Sequence, residues 1–355
     1  MLEKLVKLKQ RMKEEEIASL LVTTPYNLRY ITGFTGSTGL ALITEGENFF
    51  VTDSRYTEQA AIEAGDFMII QNTGPILDEI VKIVVREQIE NIGFEEEISY
   101  AWFHKLEEEL PMTCDIFSAP NLIGELRQIK TPEEIAKIQK ACEITDKAFE
   151  YILGKIKPGV KEVELANELD FYMRKLGATG MSFDAIVASG YRSAMPHGVA
   201  SNKEVAMNEL ITFDFGCYYA GYVSDMTRTV ALGTVDAQLK EIYDIVLEAN
   251  KRVIEKTTAG LSVADYDKLA RDFIVEKGYG KQFGHGLGHG IGLEVHEGPM
   301  ISQKLDDVLK VGQIVTDEPG IYLSGLGGVR IEDDLLITQT GNIILNSSSK
   351  EFIQL

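Results

Sequence analysis

Residues 211–230 read ITFDFGCYYAGYVSDMTRTV, and this stretch determines the fold of the region around it. Two arms rich in β-branched and aromatic residues flank a central Tyr-Tyr-Ala-Gly, which is typical of a β-hairpin. With a four-residue loop at 218–221, Asp214 would face Asp225. Directly opposed residues of an antiparallel pair share one face, with Cβ atoms about 5 Å apart. Two carboxylates placed in this way repel each other unless a cation lies between them.

A second pair of acidic positions lies in IVTDEPGIYLSGLGGVRIEDD, residues 314–334. The midpoint between Glu318 and Glu332 is Gly325, inside a glycine-rich turn region, so a hairpin there would place the two glutamates opposite each other. A bulge would shift this register, and Pro319 restricts the first arm to an edge or an irregular strand. Acidic strand residues usually face water, so each hairpin alone is a weak indication of a site. Two such hairpins in one region form a stronger one.

Between the hairpins, the stretch FGHGLGHGIGLEVHEGPM at 283–300 holds three of the five histidines of the chain, His285, His289 and His296. Glycine at nearly every second position destabilises the interiors of both helices and strands. We therefore expect a ligand or an ion to hold this segment.

Four carboxylates and one neutral imidazole match two divalent ions, because four negative charges balance four positive ones. Oxygen-rich sites favour manganese, cobalt or iron over a structural zinc ion. Two ions about 3.5–4 Å apart can share a water, lower its pKa towards about 7 and produce a hydroxide that attacks a polarised carbonyl. The pattern therefore indicates hydrolysis.

The composition restricts the partners and the compartment. The chain has 355 residues, 45% of them hydrophobic and 25% charged, and a formal net charge of −20. This acidic balance argues against binding to nucleic acid or to an anionic membrane surface. The three cysteines are too few and too scattered for a disulfide framework or a thiolate cluster. No stretch has the pattern of a signal peptide or the length of a membrane span, so we expect a cytoplasmic protein.

The element pattern changes along the chain and predicts two domains, 1–124 and 125–355. In the first, short apolar runs alternate with amphipathic segments, which predicts an α/β domain. The expected strands are ASLLVTT, GLALIT, NFFVTD, FMIIQ and NIGFE, and the expected helices are 54–64, 76–87 and 99–109. The N-terminal segment also has helical spacing, with Leu2, Leu5, Leu8 and Met12 on one face.

In the second domain, helices and strands occupy separate blocks, which predicts an α+β fold with an antiparallel sheet. Thr131, Pro132 and Glu134 form a helix start with a capping box. The expected helices are 132–154, 162–177, 236–256 and 262–277.

Motifs along nearly the whole chain resemble the pita-bread metallopeptidases that act on Xaa-Pro bonds, the family of prolidase and aminopeptidase P. They are YITGFTGSTG, VTDSRYTEQA, ELRQIKTPEEI, FDAIVASGYRSAMPHGVAS, FDFGCYYAGYVSDMTRT, FGHGLGHGIGLEVHE, TDEPGIY and GGVRIEDD. The resemblance implies a creatinase-like α/β N-terminal domain and an α+β pita-bread catalytic domain with a curved, mostly antiparallel sheet.

The resemblance also implies a role for each candidate residue. It selects His289 as the imidazole ligand, and it implies that Asp225 and Glu332 bridge both ions. The implied ligand set is Asp214, Asp225, His289, Glu318 and Glu332. Glu318 would also transfer the proton of the attacking hydroxide to the departing proline nitrogen.

Four further side chains are implied to contact the substrate or to support the ligands. His197, in MPHG, and His296 would bind the substrate and transfer protons, and His285 would lie on the leaving-group side of the pocket. Arg330 would orient Glu332 or the substrate, or form a structural ion pair with Glu332.

The implied activity is Xaa-Pro dipeptidase activity on small peptides with proline in second position. It would use two manganese or cobalt ions, with zinc or iron as the alternatives, in a homodimer. Aminopeptidase P, acting on longer peptides, is the alternative enzyme, and the short first domain favours the dipeptidase. A metal-free pita-bread binding protein is the alternative from another class. Five buried acidic and imidazole groups without metals would be costly, which argues against it.

One position departs from the family's motif. Asp317 stands where the family has an apolar residue before Glu-Pro-Gly. Strand alternation turns it away from the face of Glu318. A buried carboxylate is costly unless it is paired, so we expect an effect on stability or packing behind the site.

Overall fold

The computed structural model describes residues 2–355. The chain forms two compact units, Met1–Arg127 and Gln128–Leu355. In the described part of the chain, every helix is too short or too polar to cross a lipid bilayer.

A six-stranded mixed sheet forms the centre of the first unit. Its strands are β1 (Ser19–Val22), β2 (Leu40–Thr44), β3 (Asn48–Thr52), β4 (Met68–Gln71), β5 (Asn91–Phe94) and β6 (Asp115–Ser118), in the sheet order β4-β3-β2-β1-β5-β6. The helices up to residue 128 are α1 (Leu2–Glu14), α2 (Pro25–Thr32), α3 (Thr57–Glu63), α4 (Ile76–Glu87), α5 (Tyr100–Glu109) and α6 (Leu122–Gln128). β1 pairs with β5 in parallel and with β2 antiparallel, so this is an α/β unit.

The five strands predicted from apolar runs correspond to β1–β5, and the three predicted helices correspond to α3–α5. The sequence pattern missed the short elements α2, β6 and α6. α2 follows a threonine pair, β6 follows a proline-containing turn, and α6 follows Pro120 and Asn121. On α1 the predicted apolar face is confirmed for Leu5, Leu8 and Met12, but Leu2 is 63% exposed, so its assignment to that face was wrong.

Helices and antiparallel strands build the second unit. The helices are α7 (Pro132–Leu153), α8 (Glu162–Lys175), α9 (Ala237–Lys256) and α10 (Val263–Glu276). The strands are β7 (Gly180–Met181), β8 (Ile186–Ser189), β9 (Glu209–Phe215), β10 (Cys217–Tyr219), β11 (Tyr222–Val223), β12 (Met226–Leu232), β13 (His289–Gly290), β14 (Glu297–Met300), β15 (Ile314–Asp317), β16 (Gly320–Leu323), β17 (Gly327–Arg330), β18 (Asp333–Thr338) and β19 (Gly341–Ile344).

All pairings between these strands are antiparallel, as predicted. α7 and α8 pack against β8, β9 and β12 around one core, and α9 and α10 pack against β15 and β18 around another. The predicted capping box is present, because the Thr131 hydroxyl accepts from the Glu134 amide and the Glu134 carboxylate accepts from the Thr131 amide.

The hairpin at 211–230 forms, but its predicted register was wrong. The turn consists of Ala220 and Gly221, both at positive φ, so Tyr219 pairs with Tyr222. Asp214 therefore pairs with Thr227 and not with Asp225. A shift of two residues leaves every side chain on its original face, whereas a shift of one would reverse it. Asp214 and Asp225 consequently still share a face, as diagonal neighbours.

The second hairpin has the predicted register. Gly320 pairs with Arg330 around a turn that contains Gly325, where φ is 81°. Beyond Pro319 the same register continues, since Asp317 pairs with Asp333. Pro319 interrupts the ladder between β15 and β16, as expected of a residue that cannot donate to it. Glu318 and Glu332 lie at this interruption, on facing chain segments.

Candidate metal centre

The five side chains assigned as metal ligands line a single cavity of the second unit. β9 carries Asp214, Asp225 immediately precedes β12, and His289 begins β13. Glu318 and Glu332 stand at the interruption of the second hairpin. The fold therefore brings together, from separate elements, residues that lie up to 118 positions apart in the printed sequence.

The centre of this group is formed by Asp225, His289 and Glu332, all buried, whose candidate ligand atoms lie within 4.8 Å of one another. His289 Nδ1 is 3.2 Å from the carbonyl oxygen of Gly290. Because a carbonyl oxygen only accepts, Nδ1 carries the ring proton and Nε2 presents a lone pair. Nε2 is 3.7 Å from Asp225 Oδ2 and 3.6 Å from Glu318 Oε1. Because the lone pair of Nε2 and the two carboxylate oxygens are all acceptors, a cation between them would satisfy all three.

Asp214 gives a second indication of a cation. Its Oδ2 accepts from the Arg330 guanidinium at 2.5 Å. Its Oδ1 is buried and has no hydrogen-bond partner within the described residues. A buried polar atom without a partner is costly, and coordination of an ion would satisfy it.

Burial and mutual repulsion shift the acid groups away from their ordinary ionisation. Burial, followed by the charges of Glu332 and Asp214, raises the pKa of Asp225 well above its usual value. The pKa of Glu332 is likewise raised well above its usual value, by burial and then by Glu318. Burial raises the pKa of Glu318 to about 8. Bound cations would reverse these shifts, since a nearby positive charge favours the carboxylate form.

We predict that ionisation of Glu318 lowers the stability of the metal-free protein between pH 4.5 and about 8, most clearly above pH 6.5, where the opposing contribution of His285 and His289, whose pKa values are lowered to about 4, is complete. An acid whose pKa is raised by folding stabilises the protein fully below its unfolded pKa, and this contribution disappears as pH rises through the folded pKa. For Glu318 that window runs from its ordinary pKa of 4.5 to about 8. Thermal unfolding of chelated protein across this range measures the loss. With manganese bound the decline should be smaller, and an equal decline with and without the ion would contradict the prediction.

Arg330 has a different partner from the one proposed from the sequence. Its guanidinium pairs with Asp214, and its Nε donates to the Thr227 hydroxyl at 3.0 Å. The expected pairing with Glu332 is not direct, because the Thr227 hydroxyl lies between the two and donates to Glu332 Oε2 at 2.6 Å. Strand alternation placed Arg330 on the correct face but did not identify its partner.

His285 belongs to the same network through Tyr322. Its Nδ1 contacts the Gly286 carbonyl at 2.8 Å and therefore carries the proton, so Nε2 accepts from the Tyr322 hydroxyl at 2.9 Å. That hydroxyl oxygen accepts in turn from Arg330 Nη1 at 2.8 Å. Burial lowers the pKa of His285 to about 4 and raises that of Tyr322 to about 12. At neutral pH both are therefore uncharged.

Sequence reasoning missed Thr227 and Tyr322. The signal was present, because Thr227 follows Asp225 by two residues and Tyr322 follows Glu318 by four, so alternation places each on the face of its neighbour.

His197 and His296 are on the wall of the same cavity and are exposed. The rings of His289 and His296 are 4.1 Å apart between centroids. Partial burial, and next a charge on His197, lower the pKa of His296. His197 and His296 thus line one cavity, from which both can contact a bound molecule.

Asp317 is completely buried and points away from the cavity, as alternation predicted. Its Oδ2 accepts from Asn250 Nδ2, on α9, at 3.0 Å, and its Oδ1 has no hydrogen-bond partner within the described residues. Burial, and next the charge of Asp333, raise the pKa of Asp317 well above its usual value. This carboxyl is paired only in part, and its effect on stability is still a prediction.

Comparison with known proteins identifies the class. Residues 136–339 match the metallopeptidase family M24, and residues 4–129 match the creatinase/prolidase N-terminal domain. The chain belongs to the metallopeptidase family M24, which confirms the resemblance drawn from the motifs, and it is a hydrolase with a pita-bread domain. The family is metal-dependent, in agreement with the buried Asp-His-Glu group.

Particular relatives extend over the full length. The chain is 40% identical to a Xaa-Pro dipeptidase of Pyrococcus furiosus over 99% of this chain and 100% of that one. A solved Xaa-Pro dipeptidase from Bacillus anthracis is 47% identical, with a TM-score of 0.97 over 100% of this chain and 99% of that one. An X-Pro aminopeptidase from Thermotoga maritima is 40% identical, with a TM-score of 0.92 over 99% of both chains.

Proposed function

We propose that the protein is a Xaa-Pro dipeptidase that uses two divalent metal ions, manganese or cobalt. The observation that carries the proposal is the convergence of four carboxylates and the unprotonated Nε2 of His289 on one cavity. The relatives named Xaa-Pro dipeptidase, which match over the full length, support the choice of substrate. Four carboxylates balance the charge of two divalent ions, and their oxygen ligands suit manganese or cobalt, with zinc or iron as alternatives.

The ligands would be Asp214, Asp225, His289, Glu318 and Glu332. Bound divalent ions supply a water of lowered pKa and polarise the carbonyl of the scissile bond. Residues of the chain carry out the proton transfers and hold the substrate. Glu318 takes the proton of the attacking water on Oε2, because its Oε1 is within 3.4 Å of the Thr316 hydroxyl. It then transfers that proton to the proline nitrogen.

The histidines would hold the substrate around this step. His296 and His197 donate hydrogen bonds to the carbonyl oxygen as it gains negative charge. His285 lies on the leaving-group side, with its ring orientation fixed by Gly286 and Tyr322. Apolar side chains on the cavity wall suit the proline ring, namely Phe183, Ile186, Val199, Met300 and Ile301. Proline lacks an N–H group, so shape is a main means of recognising it.

We predict that chelation lowers Ala-Pro hydrolysis at least about a thousandfold, because metal ions supply several kcal/mol of transition-state stabilisation. Addition of manganese or cobalt should restore the rate. The measurement is release of the C-terminal amino acid from Ala-Pro, and from Ala-Ala as the control substrate, by the chelated and the reloaded protein. Absence of metal-dependent turnover of any Xaa-Pro substrate would exclude the proposal.

Aminopeptidase P activity is the second candidate. The X-Pro aminopeptidase from Thermotoga maritima supports it, as does a surface groove that shares Phe183, Asp184 and Val199 with the cavity. Such a groove could hold residues beyond the proline. Parallel assays of Ala-Pro and Ala-Pro-Ala distinguish the two, because preference for the tripeptide would favour the aminopeptidase.

The homodimer and the cytoplasmic location also belong to the proposal. The family resemblance supports the first, and the few, scattered cysteines support the second. Sedimentation analysis of the purified protein tests the dimer. A metal-free binding protein is the alternative from another class, and the metal content of protein purified without chelator tests it.

A further inference from the structure

Outside the candidate metal centre, the buried carboxylate of Glu162 accepts five hydrogen bonds. Glu162 begins α8 and is fully buried. Its Oε1 accepts from the Ser189 amide at 2.7 Å and from the Ser189 hydroxyl at 2.9 Å. Its Oε2 accepts from Arg192 Nε at 2.9 Å, from the Ser201 amide at 3.2 Å and from the Ser201 hydroxyl at 2.6 Å.

Two of these donors, Ser189 and Ser201, flank one loop, and the third, Arg192, lies inside it. Ser189 is the last residue of β8, and the chain returns to Glu162 at Ser201, so a single carboxylate joins both ends of 190–200. Arg192 closes the loop across its middle, because its Nη2 donates to the carbonyl oxygen of Val199 at 2.6 Å. We refer to residues 190–200 as the His197 loop.

The His197 loop presents His197 to the cavity. In the described part of the chain the ring of this histidine makes no hydrogen bond, so its place is set by the backbone that carries it. His197 lines the same cavity as His285 and His296, and its side chain is exposed there.

A second contact joins the loop to the hairpin of Glu318 and Glu332. The Ser193 hydroxyl accepts from the Gly328 amide at 2.8 Å, on β17, and donates to the Gly190 carbonyl at 2.7 Å. Gly328 also lies against the loop so closely that a Cβ there would be 2.5 Å from the Ser193 carbonyl oxygen. With its ends held by Glu162 and its middle held by β17, the loop has a defined place relative to the candidate ligands.

We propose that Glu162 is a positioning residue that fixes His197 in the cavity. It contacts none of the candidate ligands directly in the hydrogen-bond network, so its effect on the reaction passes through the loop. The kinetic part of this inference rests on the proposed function, and the structural part does not.

Glu162→Gln tests the structural part. The amide replaces acceptor lone pairs by donors that face other donors, which leaves buried N–H groups without partners. Backbone amides of 190–201 should then exchange with deuterium at least about tenfold faster, because the loop opens at lower free energy. Unchanged exchange in this segment would overturn the proposal, whether or not the protein is active.

Glu95 offers a matched control in the first unit. Its carboxylate is also buried and also accepts five hydrogen bonds, from Thr23, Thr24 and Asn27. Glu95→Gln should cost comparable stability without accelerating exchange in 190–201. If both variants accelerate exchange there equally, the effect is general destabilisation and the proposal fails.

A double-mutant cycle tests the kinetic part. In the wild-type background Glu162→Gln should lower kcat/KM for Ala-Pro at least about tenfold, and in the His197→Ala background less than about twofold, since coupled residues do not add. Equal factors in both backgrounds would overturn the proposal. If the wild-type protein turns over no Xaa-Pro peptide, the proposed function fails, and the exchange experiment still decides the role of Glu162.

Ser201→Ala is a milder variant, for use if Glu162→Gln does not fold. It removes the 2.6 Å hydroxyl bond to Glu162 and the 3.1 Å bond that the same hydroxyl accepts from the Lys203 amide, which lies outside the loop. Exchange in 190–201 should accelerate by about threefold, in proportion to the loss of the one bond of modest net strength that holds the loop to Glu162. Exchange as slow as in the wild type would count against the proposal.

Discussion

Glu332→Gln is expected to lower the hydrolysis of Ala-Pro at least about a thousandfold and to weaken manganese binding, because the amide removes one charge from the centre of the ligand group. Glu332 is 2% exposed, so water cannot replace the missing ligand easily. Steady-state kinetics and calorimetric titration of the chelated protein with manganese measure the two effects. Native metal affinity and turnover in this variant would remove Glu332 from the ligand set.

The same substitution should stabilise the metal-free protein above neutral pH. Glu332 has a raised pKa caused by burial and by Glu318, so its neutral isostere removes an unfavourable ionisation. Glu276→Gln, at an exposed position on α10, is the matched control and should change neither metal binding nor stability measurably. A side chain that destabilises the metal-free protein is expected where its role is to bind a metal ion.

Arg330→Met is expected to destabilise the metal-free protein by about 3–5 kcal/mol, the usual cost of leaving one partner of a buried ion pair uncompensated. Both partners are well buried, with side-chain exposures of 4% for Arg330 and 11% for Asp214. Urea unfolding of the chelated protein measures the loss. Adding Asp214→Asn to this variant should recover much of it, because the orphaned charge is then removed.

Arg252→Met provides the control for this experiment. Arg252 forms an exposed pair with Glu248 on α9, and its guanidinium lies 3.9 Å from the centroid of the Phe273 ring. Each of these contacts contributes at most about 1 kcal/mol, so the replacement should change the free energy of unfolding by less than about 2 kcal/mol. A loss of similar size at positions 252 and 330 would mean that the buried pairing with Asp214 is not the cause.

The hairpin carrying Glu318 and Glu332 was predicted in its correct register because its turn chemistry is explicit. Ser324 precedes Gly325, Gly327 and Gly328 follow it closely, and the midpoint of the two acids is Gly325 itself. Proline at 319 marked the interruption correctly. The turn preference of Gly325 and the spacing of the two glutamates indicate the same register. When two such signals agree, the register of a hairpin can be predicted from its sequence.

The hairpin carrying Asp214 and Asp225 was misplaced because its turn is atypical. Ala220 adopts a φ of 49°, a region that alanine rarely occupies, so a two-residue turn there contradicts its intrinsic preference. The tyrosines before it continue the strand, and they were assigned to the loop. The face of each carboxylate was nevertheless predicted correctly, because the error was an even number of residues.

Contacts between distant segments could not be predicted from local patterns. The partner of Arg330 lies 116 positions away, and Glu162 contacts residues 27–39 positions further along. Periodicity assigns a face and turn residues assign a register, but neither determines which of several polar groups on a face meet. That choice depends on packing between the hairpins and on side-chain length.

The hydroxyl of Thr227 fixes the direction of hydrogen-bond donation between Arg330 and Glu332. A guanidinium only donates and a carboxylate only accepts, so the single hydroxyl proton must point from Thr227 towards Glu332. Arg330 thus polarises a carboxylate that it does not touch, while it neutralises Asp214 by direct contact. The guanidinium of Arg330 consequently stabilises carboxylates on both hairpins. A serine at 227 would keep the hydroxyl and this arrangement, whereas an isosteric valine would remove the hydrogen bonds to both Arg330 and Glu332.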